Sequence, residues 1–196
     1  ILCVLTFVWF ERASTPSRKR TDTSAVQASH SKPTARIGGL AIVLALGAVV
    51  GLSQNAMIWH ISTIAFVSAL PVFGVGLAED LGYLASPRKR LLAAAVSGAV
   101  FISLMGQWVP HTGIPGLDIA LQWSPFAMTF SLFLAVGISH AFNLIDGLNG
   151  LAGSTALAAA LALAAIAHQA GLAEHHDLLL MLAAAILGFL VFNFPF

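Results

Sequence analysis

Three polar stretches interrupt an otherwise apolar chain, and each carries groups suited to phosphate or to a hard metal ion. The stretch Gly76–Arg90 reads GLAEDLGYLASPRKR and sets Glu79 beside Asp80 at the end of an apolar run. Charges at a helix end close to lipid are costly unless they meet water, a metal or a cation. Two adjacent acids can bind Mg²⁺, or one can act as a base while the other orients a cation. A solvated helix end whose acids pair with Arg88–Arg90 accounts for the same residues equally well. The stretch His140–Ser154, HAFNLIDGLNGLAGS, spaces Asn143, Asp146 and Asn149 three apart. On a helix or tight helical turn such residues share a face and form a line of oxygen ligands. Gly147, Gly150 and Gly153 allow close backbone approach. A helix C-cap followed by an N-cap is the plainer account, but an Asp between two Asn at this spacing favours ligation. The stretch Ser29–Gly39, SHSKPTARIGG, adds Lys32 and Arg36, cations able to hold phosphate. Pro33 and the Gly38–Gly39 pair predict a bend and then a helix. Alone, this stretch reads as a basic loop that sets topology.

The elements that must position these residues are apolar helices. Of the 196 residues 58% are hydrophobic and only 9% charged, and the mean hydropathy is +0.90. A soluble domain carries about 25% charged residues, so lipid is the natural solvent for the remaining surface. Six apolar segments, roughly Ile37–Leu52, Ile58–Leu77, Leu91–Val109, Phe126–Phe142, Leu151–Ala170 and Leu178–Phe194, approach the length that crosses a bilayer. They are rich in small residues, which suit close helix contact in lipid. Ile1–Phe10 is about half a span and reads as the end of a further helix. The expectation is therefore an all-α polytopic transmembrane bundle, about six full spans plus one partial N-terminal span. Residues 1–196 read as a single transmembrane domain cut at both ends.

Every Lys and Arg lies within Glu11–Arg36 or Ala78–Arg90. If the apolar segments alternate in direction, both loops share a side, and the positive-inside rule makes that side cytoplasmic. Residues 142–150 then join loops 11–36 and 78–90 there. The opposite loops hold Trp59, Trp108 and Trp123, which suit an interfacial aromatic belt. A net charge of +1 gives no reason to expect a nucleic-acid partner, and the lone Cys3 excludes an intrachain disulfide. On the outer side, His60, His111, His175 and His176 stand with Glu174 and Asp177, a set of Zn²⁺-ligand types whose plainer account is a polar turn. Residues 110–125 read as a short hairpin or interfacial segment.

Taken in order, KPTARIGGLAI, GLAEDLGYLASPRKRLL and AFNLIDGLNGLAGS resemble the polyprenyl-phosphate N-acetylhexosamine-1-phosphate transferases, glycosyltransferase family 4, over about His30 to Phe196. That family includes phospho-N-acetylmuramoyl-pentapeptide transferase. The resemblance implies transfer of a sugar 1-phosphate from a UDP-sugar to polyprenyl phosphate, with UMP released and Mg²⁺ required, Mn²⁺ being the alternative ion. It implies an enzyme of the bacterial inner membrane serving an envelope polymer such as O-antigen, and relatives are often homodimers. Carried over by residue, Asp80 positions or deprotonates the lipid phosphate and Glu79 supports it or orients the metal. Asn143 and Asp146 contact metal or pyrophosphate. Lys32, Thr34, Arg36 and Asn149 contact substrate.

Three departures qualify the match. Glu79-Asp80 replaces the common Asp-Asp pair, and His140 stands where many relatives have Asn. Past the region of Asn193 and Pro195 the family continues into a Gly-Asp-x-Gly-Ser motif with a metal-binding Asp, so residues 1–196 alone are expected to be an inactive fragment. A secondary transporter is the main rival, but transporter sites lie near the bilayer midplane, whereas these acids lie at segment ends. A non-catalytic membrane scaffold is the second rival and would need neither Mg²⁺ nor a UDP-sugar.

Overall fold

The structure is a computed structural model that describes residues 38–80, 86–145 and 150–193. Lys32, Thr34, Arg36, Asp146 and Asn149 lie outside these, as does the partial span Ile1–Phe10. Seven helices follow in order: α1 Gly38–Leu52, α2 Ala56–Asp80, α3 Pro87–Met105, α4 Pro115–Leu121, α5 Ser124–Ile145, α6 Leu151–Gln169 and α7 Ala173–Asn193. Among the described residues there is no strand. The all-α polytopic expectation holds. Stretches of α2, α5, α6 and α7 are long and apolar enough to cross a membrane, and α1 is a shorter apolar helix. Large apolar side chains point outward along them, Phe133 at 70% exposed and Ile166 at 61%. In water that surface would be costly; in lipid it is solvated.

The helix ends follow local chemistry. Asn55 Oδ1 accepts the N–H of Met57 and of Ile58 at 2.9 and 3.2 Å, capping α2. Ser86 caps α3 with Pro87 just inside, where a missing N–H costs nothing. Gly106 closes α3 in the left-handed region at φ 64°, its N–H bonded to Ile102 O. The span expected at Leu91–Val109 is therefore shifted. It begins at Pro87, placing Arg88, Lys89 and Arg90 in its first turn, and it stops at Met105 because the Gly106 cap ends the ladder.

The chain divides into two compact units. One holds Thr63–Glu79 and the described part of Tyr83–Asn143, hence most of α2 with α3, α4 and nearly all of α5. Here α2 and α3 run antiparallel: Val72 meets Ser97, and Glu79 meets Arg90. Pro71 breaks the backbone ladder inside α2. Ser97 Oγ of α3 accepts the Val72 N–H at 3.1 Å, a cross-helix partner of the kind lipid cannot supply. On α3, Gly98 permits close approach to α5, since a β-carbon there would lie 2.8 Å from Leu132 Cδ1. Val109, beyond the end of α3, donates its N–H to Ser131 Oγ at 2.8 Å. Moving forward along α3 thus moves backward along α5, so these helices are antiparallel too.

The other unit holds α1, the first turns of α2, and α6 with α7. Its seams are built from alanine: Ala41 and Ala45 of α1 cluster with Ala185 of α7, flanked by Ile42 and Phe189. Ala160, Ala164 and Ala167 form a buried stripe on α6. Small side chains let backbones approach where dispersion, not water exclusion, must hold helices together. Gly153 of α6 faces Leu190 of α7, with 2.7 Å from a β-carbon there to Leu190 Cδ2. At the other end of the pair His168 lies beside His176, so α6 and α7 form an antiparallel hairpin.

Candidate active site

Glu79 lies one residue from the end of α2, where the apolar run gives way to charge. Its Oε2 is 3.5 Å from Arg90 Nε in the first turn of α3, and the two side chains are 27% and 37% exposed. A cation near a helix N-terminus opposes the helix dipole, so a carboxylate beside Arg90 relieves an unfavourable placement. The pair is half in water and contributes no more than about 0–1 kcal/mol to stability. Its effect is on orientation: it fixes the Glu79 carboxylate toward the start of α3. Of the three cations that follow Pro87, the structure selects Arg90 as the partner of Glu79 and leaves Arg88 and Lys89 exposed. Asp80 is the last residue of α2; its side chain lies outside the described residues.

Asn143 sits exposed in the last turn of α5. The antiparallel packing within its unit puts it at the same end as Arg90. From the contact of Gly98 with Leu132 and Ala135, Arg90 lies eight residues back along α3 and Asn143 eight residues past Ala135 along α5. At 1.5 Å per residue each is about 12 Å from that contact in the same direction. Glu79, Arg90 and Asn143 therefore share one end of one unit.

Asp146, Gly147 and Asn149 fall outside the described residues, and the helix resumes after Gly150. Gly150 is buried and left-handed at φ 78°, ψ −10°, and its carbonyl accepts the Ser154 N–H at 2.7 Å. A β-carbon in that backbone region costs about 1–2 kcal/mol, which explains glycine at this position.

His140, one turn before Asn143, was read only as a departure from the family pattern. Its Nε2 is buried without a hydrogen-bond partner. A periodicity argument assigns such a residue to packing, and only the structure shows the orphaned nitrogen. Among the described residues no group of three or more His, Cys, Asp or Glu is gathered for a metal, which includes the outer set His60, His111, His175 and His176.

Comparison with known proteins adds to this geometry. Residues 61–196 match the family model for glycosyl transferase family 4. The chain is 31% identical over 166 residues to a protein of Bacillus subtilis named probable undecaprenyl-phosphate N-acetylglucosaminyl 1-phosphate transferase, covering 84% of this chain and 45% of that one. It is 28% identical over 173 residues to the phospho-N-acetylmuramoyl-pentapeptide-transferase of Thermotoga petrophila, covering 84% and 53%. It is 34% identical over 181 residues to the same-named protein of Bacillus velezensis, covering 84% and 55%. The chain thus spans about half the length of the curated relatives it matches. No solved structure matches it.

Proposed function

The chain belongs to glycosyl transferase family 4, and from that premise we propose that its protein transfers an N-acetylhexosamine 1-phosphate from a UDP-sugar to polyprenyl phosphate, releasing UMP. The observation that carries this reading is the placement of the Glu79–Arg90 pair and of Asn143 at the same end of apolar helices. A lipid-borne phosphate and a water-borne nucleotide sugar can meet only at such an end. The acids of a coupling-ion transporter belong nearer the bilayer centre.

Phosphoryl transfer asks the protein for placement and charge neutralisation more than for covalent chemistry. Asp80, at the mouth of α2, positions the lipid phosphate or takes its proton. Glu79, held by Arg90, supports Asp80 or orients the metal. Lys32, Thr34, Arg36 and Asn149 contact the nucleotide sugar and its phosphates. The donor chemistry near Asn143 fits a hard divalent cation: the exposed amide oxygen of Asn143 and the carboxylate of Asp146 are ligand types for Mg²⁺, with Mn²⁺ the alternative. Asn143 and Asp146 are the residues that would hold the metal. When bound, the ion neutralises charge on the pyrophosphate as UMP departs. The site faces the cytoplasm of a bacterial inner membrane and serves an envelope polysaccharide such as O-antigen, with a homodimer as the working assembly.

The test measures UMP release by the full-length protein from UDP-N-acetylglucosamine with undecaprenyl phosphate and Mg²⁺. Asp80→Ala and Asp146→Ala each reduce turnover by about 10²-fold or more, the scale of a lost acid–base or charge-positioning group. Turnover near the unsubstituted level in both variants excludes these roles.

A further inference from the structure

The hairpin turn between α6 and α7 brings together a pair of imidazoles that the transfer chemistry does not use. Gly171 takes the left-handed region at φ 73°, and Leu172 N–H bonds back to Ala167 O at 2.9 Å, which reverses the chain within a few residues. The reversal sets His168, in the last turn of α6, beside His176, in the first turn of α7, with ring centroids 5.2 Å apart and planes tilted by 45°. Two imidazoles sharing one tetrahedral ion, each with a metal–nitrogen bond of about 2.0–2.1 Å, hold their centroids about 5 Å apart. The spacing in the hairpin is the spacing such a site requires.

A second feature supports it. His176 Nδ1 lies 3.0 Å from Asp177 Oδ1. A carboxylate on one ring nitrogen fixes the tautomer and leaves the other nitrogen as the ligand, which is how metal-binding histidines are commonly held. His168 is exposed and the His176 side chain is 28% exposed, so the pair is reachable from solvent. The neighbouring His175 is separate: its Nδ1 is buried and unpartnered. Glu174 and Asp177 are the acids of the same turn. No third His, Cys, Asp or Glu joins the two rings among the described residues, so water would complete the coordination of an ion held there.

We propose that His168 and His176, oriented by Asp177, form a two-imidazole site for a divalent transition ion that clips α6 to α7 at their turn. Zn²⁺, Ni²⁺ and Cu²⁺ all accept imidazole, and Cu²⁺ binds tightest in the usual order. This inference stands apart from the transferase reading, since neither residue belongs to the catalytic set.

The experiment titrates Cu²⁺ into the purified full-length protein in detergent and follows electron paramagnetic resonance. The expected result at pH 7.5 is one saturable ion per chain with hyperfine coupling to two nitrogens. Affinity drops at least tenfold in His168→Ala and in His176→Ala, several-fold in Asp177→Asn, and stays unchanged in His111→Ala, a histidine of the other unit. His168→Gln, conservative at an exposed position, must lose the signal as His168→Ala does. Absence of nitrogen-coupled binding in the unsubstituted protein, or binding in the His168 and His176 variants equal to that of the unsubstituted protein, overturns the proposal and leaves the two rings as an ordinary tilted pair.

Discussion

The unit built from α2 to α5 has polar groups near α4 and others near the end of α5, and they are treated in opposite ways. Near α4, Asp118 closes the loop before that helix. It accepts the Thr112 N–H and hydroxyl on Oδ1 at 2.7 and 2.8 Å, and the Gly113 N–H on Oδ2 at 3.1 Å. His111 Nδ1 adds a contact at 2.6 Å. Every acceptor site of that carboxylate is taken by its own loop. At the Asn143 end, among the described residues, Glu79 pairs with Arg90 at 3.5 Å and Asn143 stands exposed. A saturated acid has nothing left to offer a substrate and serves to fix the fold. Charge at an apolar boundary is costly to keep, a cost that the phosphates of the proposed substrates would offset.

Substitutions can break that contrast. The largest effect is expected at Asp80 and Asp146, with turnover lost as described above. Next is Ser97→Ala, which removes the Oγ that accepts the Val72 N–H beside Pro71; losing such a part-buried hydrogen bond costs about 0.5–1.5 kcal/mol. Thermal unfolding in detergent should show the loss, with kcat per folded molecule unchanged. Glu79→Gln and Arg90→Ala should follow, lowering kcat several-fold with little change in thermal stability, because the exposed pair orients rather than stabilises. Equal losses of stability and activity would reduce the pair to a structural role.

Asp118→Asn should have the smallest effect on activity, none at all, and its signature should be in pH dependence. Burial raises the Asp118 pKa, but the Thr112 backbone and hydroxyl bonds and the His111 contact together outweigh it and hold the carboxyl below its ordinary 3.8. A depressed folded pKa gives stability that is present above the ordinary value and is lost as the pH falls through the folded one. Unfolding curves should therefore lose less between about pH 5 and pH 3 in Asp118→Asn than in the unsubstituted protein. Parallel curves would show that the loop does not depend on the charged form.

Much of the helical frame can be read directly from residue order. The apolar run Ile58–Leu77 lies inside α2, and Phe126–Phe142 lies inside α5, because length and hydropathy are local quantities. Boundaries depended on caps: Ser86 with Pro87 starts α3 before its apolar run, and Gly106 ends it before Val109. Residues 110–125, read as a hairpin or interfacial segment, form the short α4 with the Asp118 closure. That closure depends on loop geometry which no periodicity reports. The acidic end of α2 was legible as a place for a cation, but which of Arg88, Lys89 and Arg90 would serve was not, since the choice depends on the register of α2 against α3. The outer histidines were grouped by neighbourhood in sequence as His175 with His176, whereas folding pairs His176 with His168, eight residues away through a left-handed glycine.

The central claim is that the groups proposed to handle phosphate stand at one membrane face while the saturated Asp118 loop stands at the other. Single-cysteine variants in a background with Cys3 and any other native cysteine replaced by Ser, labelled with a membrane-impermeant thiol reagent in intact cells and in inverted vesicles, address it most directly. The account predicts that Arg90→Cys, Asn143→Cys and Asp146→Cys label only in inverted vesicles, and that His111→Cys labels in intact cells. Labelling of the Arg90 and Asp146 positions from opposite faces would contradict it.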